Sequence, residues 1–293
     1  MGEIVGAGII AHSPTIMLPD EIRIGLNGGM ESTLYTGLID LKREVMDSLK
    51  PDTVIVVDTH WGTIVEFIVN AHDRRMGKYT SEELPRGMCQ VPFNLKGNPE
   101  LAYAIAERCN ANGVRTSANS DPYLPIQYPT VNLAHFLRDN DRDEEWLSLS
   151  VCRTGDADDC RRVGQGIREA VEASNRRVVI MASGAFSHAF WPLKELAKRE
   201  AADPIHIRTP AHREADETRI AQLLDGDHAS VISSMPEFHA FKPEAGFMHY
   251  LIMAGALGGE GCKATGRKFS AYENAIGTGQ IHIWFDRPKS GWA

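Results

Sequence analysis

The sequence predicts an α/β protein, an α/β/α sandwich with a central mixed sheet, in a single large domain over residues 1–293. Three observations support this fold class. The run Val54–Val57 consists of β-branched residues only, which is typical of a strand buried on both faces. Strand-like runs alternate with helical patterns along the chain. A hydrophobic content of 43% over 293 residues is enough for a large core.

The first half of the chain contains two well-marked helices between strand-like runs. Apolar residues at helical spacing predict a helix over 31–49, which Pro51 ends. Asn98, Pro99 and Glu100 are the residues expected at a helix start. In order, we expect a strand over 4–10, a loop over 16–27, the helix over 31–49, a strand over 54–58, a β-rich run over 63–71, a polar irregular segment over 72–96 that is a candidate lid or subunit contact, a helix over 98–112 and a strand over 114–117.

The second half continues the alternation after a rigid turn. Three prolines, Pro122, Pro125 and Pro129, predict this turn and a short helix after it. In order, we expect that helix near 131–137, a charged loop over 139–145, a strand over 146–152, an amphipathic helix over 157–174, a strand over 178–181, a helical region over 193–224 interrupted at Pro204 and Pro210, an apolar helix over 246–257 and a closing strand over 280–285.

Charge and cysteine usage exclude several classes of protein. The net charge is -8 and no long basic run is present, so we expect no nucleic-acid partner. The chain has neither the pattern of a secretory signal nor an apolar run long enough for a membrane span, so we expect a cytoplasmic protein with no membrane partner. The five cysteines form no C-x-x-C pair, which argues against a zinc ribbon and a disulfide framework.

Three histidines follow strand-like runs at the same end of the predicted sheet. His12 follows the strand over 4–10, and His60 should lie just past the end of the strand over 54–58. His188 follows the strand over 178–181 after a short small-residue segment. Open α/β sheets bind ligands in the crevice outside the carboxyl ends of their strands. We therefore expect these imidazoles to converge there.

A metal site is the chemistry that this pattern favours. Two neutral imidazoles and one carboxylate on one face of a metal leave up to three positions open, which suits ferrous iron that binds a chelating substrate and dioxygen together. His12 and His60 would supply the imidazoles. Glu244 is the best candidate for the carboxylate, because it lies in a K-P-E-A-G loop just before an apolar helix.

Three other motifs are weaker evidence for a functional site, because the residues around them do not form the structure that each motif requires. The G-x-G-x-x-A match over 6–11 lies inside the first strand and is followed by Pro14 instead of a helix, so close backbone packing is the better interpretation. His212 and Glu214 lie two apart in a helical region and face different ways. Ser183 and Ser187 lack the G-x-S-x-G context of a serine hydrolase.

The short motifs around the histidines resemble those of class III extradiol ring-cleaving dioxygenases, the protocatechuate 4,5-dioxygenase superfamily. They are A-H-S-P at His12, D-T-H-W at His60, A-S-G-A-F-S-H ending at His188, and G-T-G-Q from Gly277. Within the superfamily, Y-T-S-E-E-L-P from Tyr79 and a G-N-P-E-L-A segment are similar to the homoprotocatechuate (3,4-dihydroxyphenylacetate) 2,3-dioxygenase branch. The likeness extends from residue 4 to about residue 285.

The resemblance implies an Fe(II) enzyme that inserts both atoms of O2 into a catecholic ring next to the two hydroxyls, giving a muconate-semialdehyde-type product. It implies that His12 and His60 are iron ligands and that His188 acts as acid and base. Glu244 matches the glutamate ligand, with Glu237 as the alternative because the loop varies in length.

The resemblance also implies substrate contacts. Tyr128 stands where many relatives carry a second active-site histidine followed by glycine, and this chain has Pro129 after it. Pro129 departs even from the homoprotocatechuate-like branch, which puts the substrate contact at this wall in question. Ser13 is a further substrate-binding candidate.

Several alternatives stay open at this point. A 2-aminophenol-type substrate is the nearest rival to a catechol, and such enzymes pair a catalytic chain with a second subunit; otherwise a homo-oligomer is expected. The same scaffold could hold zinc and hydrolyse an ester or amide, or be a non-catalytic relative. His249 follows Glu244 closely enough to be a neighbour of the site. We expect the remaining histidines to be surface or satisfied core residues: His72, His135, His206, His228, His239 and His282.

Overall fold

A ten-stranded mixed sheet is the frame of the computed structural model, which describes residues 1–293. Eight strands follow the order β4-β5-β7-β2-β8-β1-β12-β9, β3 and β6 branch from β7, and β10 and β11 form a separate hairpin. The strands are β1 (Glu3–Ile10), β2 (Thr53–Thr63), β3 (Phe67–Asn70), β4 (Arg74–Tyr79), β5 (Val91–Lys96), β6 (Thr116–Asn119), β7 (Glu145–Cys152), β8 (Arg177–Ser183), β9 (Gly266–Lys268), β10 (Glu273–Ala275), β11 (Thr278–Gln280) and β12 (Ile283–Asp286).

Helices cover both faces of the sheet. They are α1 (Asp20–Leu26), α2 (Thr33–Leu41), which continues through a π-helical turn (Lys42–Met46) into α3 (Asp47–Leu49), then α4 (Pro99–Ala111), α5 (Tyr128–Leu137), α6 (Ala157–Ala173), α7 (Pro210–Leu224), α8 (His228–Ser233), α9 (Met235–Phe238) and α10 (Met248–Ala256). Ile55 and Val57 of β2 belong to the core under α4, α6 and α10, whereas Val54 and Val56 belong to the core under α2 and α5. Successive side chains of a strand face opposite ways, so one β-branched run supports two cores. The predicted α/β/α sandwich with a mixed sheet is confirmed.

The four central strands β7, β2, β8 and β1 run parallel, while β12 and β9 are antiparallel to their neighbours. The carboxyl ends of the parallel strands therefore meet at one edge. His12 lies two residues beyond the end of β1, and the segment that leaves β8 leads to His188. This edge holds the candidate site.

His60 lies inside a strand, and its expected position just past the strand end is wrong. β2 continues to Thr63, but its register against β7 shifts between Asp58 and Gly62 and its pairing with β8 ends at Asp58. Extra residues on one strand bend it and turn a side chain in a new direction. The irregularity gives His60 the same access to the edge that a loop would give.

Three other expectations about segments need correction. The predicted loop over 16–27 contains α1, preceded by a 3-10 turn at Pro14–Met17. The irregular segment over 72–96 contains the β4–β5 hairpin; no residue of β4 is fully buried, and its sequence R-R-M-G-K-Y has no alternation of apolar and polar residues. In the region over 193–224 new elements begin at Pro204 and Pro210, as the predicted interruptions require, but the part before α7 forms 3-10 turns at Leu193–Lys198 and Pro204–His206 and no α-helix.

The glycines of the first strand serve packing. A Cβ at Gly6 would lie 2.3 Å from the ring of Trp284, and a Cβ at Gly8 would lie 3.0 Å from the Ile283 carbonyl oxygen. Side chains larger than hydrogen would push β12 away from β1, so the sequence match to a dinucleotide fingerprint reflects strand packing.

Candidate active site

Side chains of His12, His60 and Glu244 converge at the carboxyl edge of the sheet. Glu244 Oε1 lies 3.4 Å from His12 Nε2 and 3.5 Å from His60 Nε2. One ligand atom from each residue lies within 4.8 Å of the other two, so the three could hold a metal ion. Two ligands at right angles, each about 2.1 Å from a metal, are about 3 Å apart. Small side-chain adjustments would therefore bring all three donors onto one ion.

Hydrogen bonds orient the two imidazoles. The Nδ1 atom of His12 lies 2.8 Å from Ser183 Oγ at the end of β8, which leaves Nε2 free to face the carboxylate. The buried carboxylate of Asp58 accepts the backbone N–H groups of His60 at 3.1 Å and Trp61 at 3.2 Å, and its other oxygen accepts the hydroxyl of Thr130 at 2.7 Å. Asp58 thus holds the strand irregularity that presents His60.

The loop that carries Glu244 is held in an unusual backbone conformation. Ala245 and Phe247 have positive φ angles of 47° and 63°, which costs free energy for residues with a side chain. The resulting bend directs the Glu244 side chain inward, where 5% of the residue is exposed. Its Oε2 accepts the backbone N–H of Ala185 at 2.6 Å, and its Oε1 accepts the Thr59 hydroxyl. A carboxylate with two such donors is fixed before any ligand arrives.

His188 lies beside the three-residue group on its open side. Its Nε2 is 3.9 Å from Glu244 Oε2, and a quarter of its side chain is exposed. Its backbone N–H donates to the Lys242 carbonyl at 2.9 Å, and Glu244 N–H donates to the Phe186 carbonyl at 3.0 Å. The segment after β8 and the glutamate loop are therefore paired, so the positions of His188 and Glu244 depend on each other.

Tyr128 and Ser13 border the same space. The hydroxyl of Tyr128 lies 2.9 Å from His60 Nε2, and the two ring centroids are 4.2 Å apart. Burial raises the pKa of Tyr128 well above its usual value, so its hydroxyl keeps its proton. Ser13 bonds Thr15 through its hydroxyl at 2.7 Å and faces the cavity.

The protonation states of Glu244 and His60 suit the binding of a cation. Burial alone would raise the pKa of Glu244, but the neighbouring His12 and His188 outweigh burial and hold that pKa well below its usual range. Burial, and then the neighbouring His12, lower the pKa of His60 to about 4. At neutral pH the site therefore offers an ionised carboxylate and an unprotonated His60, the forms that bind metals.

A cavity of about 240 Å³ opens on the three-residue group and His188. Part of its lining is apolar and includes Leu18, Phe190, Leu196 and Ile276. Glu83 and Arg86, from the loop between β4 and β5, also face it. That loop, rather than the whole segment over 72–96, covers the site. The space accommodates a single substituted ring.

The structure separates the candidate residues clearly. It brings His12, His60, Glu244, His188, Tyr128 and Ser13 to one cavity. The alternative carboxylate, Glu237, is exposed on α9 and is not part of the group. His249 is fully buried with neither ring nitrogen hydrogen-bonded, and its ring packs on Gly184.

The six histidines expected to be surface or satisfied core residues do not line the cavity. His228 and His282 are buried with both ring nitrogens in hydrogen bonds, as expected of satisfied core residues. His135 and His239 are exposed. His72 differs from expectation in part, because it is buried and only its Nε2 has a partner.

Sequence reasoning missed the residues that position the group, namely Asp58, Thr59, Ser183, Ala185 and Glu83. Glu83 belongs to the loop between β4 and β5, and its Oε1 lies 3.4 Å from His60 Nδ1. An acidic residue directly after a β-branched run was the available signal for Asp58. The backbone N–H of Ala185 has no sequence signal, since every residue except proline has one.

Comparisons with known proteins identify the family of the chain. Residues 6–283 match the family model described as the catalytic LigB subunit of aromatic ring-opening dioxygenase. The chain is 30% identical to a 3,4-dihydroxyphenylacetate 2,3-dioxygenase of Escherichia coli, over 88% of this chain and 91% of that protein. It is 25% identical to a 2-aminophenol 1,6-dioxygenase beta subunit of Pseudomonas sp, over 100% of this chain and 97% of that protein.

A solved structure shares the fold. The crystal structure of an uncharacterized protein from Escherichia coli K12 superposes with a TM-score of 0.63 at 15% identity, covering 96% of this chain and 99% of that chain. No helix of the present chain combines the length and apolar character that crossing a membrane requires. With the family match over nearly the whole sequence, the chain belongs to the family of catalytic LigB subunits of aromatic ring-opening dioxygenases and is a ring-cleaving oxidoreductase that incorporates O2.

Proposed function

We propose that this protein is an extradiol dioxygenase that opens a catechol ring beside its two hydroxyls, with Fe(II) held by His12, His60 and Glu244. The observation that carries the proposal is the convergence of two imidazoles and one carboxylate on a cavity that also contains His188. This donor set, with one side open, is the one that non-haem Fe(II) oxygenases use. The chemistry that ferrous iron supplies when bound is acidification of the two catechol oxygens and electron transfer between ring and dioxygen.

The residues of the chain have separate tasks in this proposal. His188, on the open side of the group, accepts the proton of the second catechol hydroxyl at Nε2 and later returns it to the developing oxygen leaving group. Tyr128 keeps its proton and donates a hydrogen bond to a substrate oxygen. The apolar wall at Leu18 and Phe190 holds the ring and keeps water out. Ser13 contacts the substrate at the inner wall.

Hydrogen bonds already orient the three proposed ligands. Ser183 holds His12, Asp58 holds the backbone at His60, and Ala185 and Thr59 hold Glu244. Such outer contacts fix the tautomer and direction of metal ligands. Preorganisation of this kind supports a site that binds its metal in the folded protein.

Oxygen uptake by anaerobically prepared, Fe(II)-loaded protein tests the proposal. Catechol, 3,4-dihydroxyphenylacetate and 2-aminophenol are compared, and the ring-opened product is followed by its visible absorbance. We expect uptake with catechols. Uptake with 2-aminophenol alone would favour the activity named for the Pseudomonas relative. Hydrolysis of esters or amides by zinc-loaded protein, with no oxygen uptake by iron-loaded protein, would overturn the proposal.

Iron content provides a readout that is independent of turnover. We expect His12→Ala and Glu244→Gln to lose bound iron, because each removes one of three donors. His188→Phe is expected to keep its iron and lose most of its turnover. His135 is an exposed histidine on α5, and His135→Phe is the matched control. This variant should retain both its iron and its turnover. Full iron occupancy in His12→Ala would remove this residue from the ligand set.

The assembly belongs to the same proposal. Both the alpha and the beta subunit of a 2-aminophenol 1,6-dioxygenase resemble this chain, at 21% and 25% identity. We propose a homo-oligomer, with a second type of subunit as the alternative. Light scattering on the purified chain distinguishes the two: a monomer that gains activity only with another protein would support the alternative.

A further inference from the structure

We propose that Asp216 of α7 is a positioning residue that sets the distance between His188 and Glu244. This inference rests on the proposed function. The side chain of Asp216 is completely buried. Its Oδ1 accepts the backbone N–H of Ser187 at 2.9 Å, and its Oδ2 accepts the hydroxyls of Ser187 and Tyr272, each at 2.6 Å. All three donors are neutral groups, and two of them belong to the residue that precedes His188.

The segment 186–188 is otherwise held by backbone pairing. Phe186 N–H donates to the Gly279 carbonyl, and Gly279 N–H donates to the Ser187 carbonyl, both at 2.9 Å. On the other side, the Phe186 carbonyl accepts Glu244 N–H, and His188 N–H donates to the Lys242 carbonyl. The segment therefore lies between β11 and the glutamate loop, and it bonds both.

The remaining backbone donor of this segment, the N–H of Ser187, is hydrogen-bonded to Asp216. The N–H of Ser187 is bonded to its carboxylate and not to β11 or the glutamate loop. A buried N–H without a partner costs about 1–3 kcal/mol. Loss of the carboxylate would thus favour any movement of Ser187 that rescues this N–H, and His188, the next residue, would move with it relative to Glu244.

The Asp216 carboxylate packs closely against Gly279 of β11. A Cβ at Gly279 would lie 2.1 Å from Asp216 Oδ2 and 2.5 Å from the Tyr272 hydroxyl. The absence of a side chain at Gly279 lets β11, the carboxylate and Ser187 approach this closely. Asp216, on a third element, therefore fixes the proton-transfer group at a set distance from one proposed metal ligand.

Kinetics with Asp216→Asn test this role, because asparagine keeps the shape but presents a donor where Ser187 or Tyr272 also donates. We expect kcat to fall about 10- to 100-fold, as for small misplacements of catalytic groups, with KM and iron content near those of the wild type. If Asp216 acts through His188, the same substitution should change the residual turnover of His188→Phe less than two-fold. An equal fold-loss in both backgrounds would overturn the inference.

A readout in the metal-free protein separates this inference from the proposed function. Ring ¹H–¹⁵N correlation spectra should show the His188 resonance shifted or broadened in Asp216→Asn, while those of the buried His228 and His282 are unchanged. An unshifted His188 resonance in a folded variant would overturn the inference even if ring cleavage is established. If Asp216→Asn does not fold, Tyr272→Phe, which removes one of the three donors, is expected to give a smaller shift in the same direction; no shift would overturn the inference.

Discussion

Replacement of Gly184 by alanine should destabilise the protein through one defined contact. A Cβ at this position would lie 2.7–2.9 Å from three atoms of the His249 ring, whereas carbon atoms pack best at about 3.5–4.0 Å. Gly184 is not among the residues with positive φ, so alanine introduces no backbone strain. The His249 ring is fully buried and must move by most of an ångström. Overpacking of this kind costs about 1–3 kcal/mol.

The assay is urea unfolding of the metal-free protein under reducing conditions, in a double-mutant cycle with His249→Ala. Removal of the ring leaves room for the new methyl group. We expect Gly184→Ala to cost about 1–3 kcal/mol in the wild type and less than about 0.5 kcal/mol in His249→Ala, a coupling typical of residues in contact. Equal costs in the two backgrounds would refute the steric explanation.

The same substitution should also weaken metal binding. The next residue, Ala185, donates its backbone N–H to Glu244 Oε2 at 2.6 Å, so a shift at Gly184 disturbs the carboxylate. Loss of an outer contact of this kind typically lowers metal affinity about 10- to 100-fold. Titration of the metal-free variant with Fe(II) under nitrogen measures this change. Wild-type affinity in a destabilised variant would show that the carboxylate is held without Ala185.

Three further outcomes are expected. Ser183→Ala should lower Fe(II) affinity about ten-fold without loss of fold, because it removes the hydrogen bond that orients His12; an unchanged titration curve would contradict this. Tyr128→Phe should keep its iron and raise KM for catechol more than it lowers kcat, and wild-type kinetics would exclude the substrate contact. Burial lowers the pKa of His282 to about 4, so below pH 6.5 the unfolded chain takes up a proton that the folded chain does not. Metal-free protein should therefore lose up to roughly 3 kcal/mol of stability between pH 6.5 and 4, and His282→Gln should lose less over this range; an identical slope would contradict the assignment.

Part of the candidate site could be predicted because it depends on short sequence segments. A β-branched run marks a buried strand wherever it occurs, and parallel strands bring their carboxyl ends to one edge. His12, His60 and His188 could therefore be placed together, because each follows a strand-like run rich in apolar residues. The irregularity of β2 was not predictable, because it depends on how β2 pairs with β7 and β8.

The sequence by itself determined the alternation of strands and helices and the end of the sheet at which the three histidines meet, because these follow from local side-chain patterns. Only the tertiary structure decided which acid joins them. Glu244 is chosen over Glu237 by a loop with positive φ angles, and that loop is held by its pairing with the segment before His188. Asp216 and Gly184 were not predictable for the same reason. Their partners, Ser187 and His249, are distant in sequence, and only the tertiary fold brings them into contact.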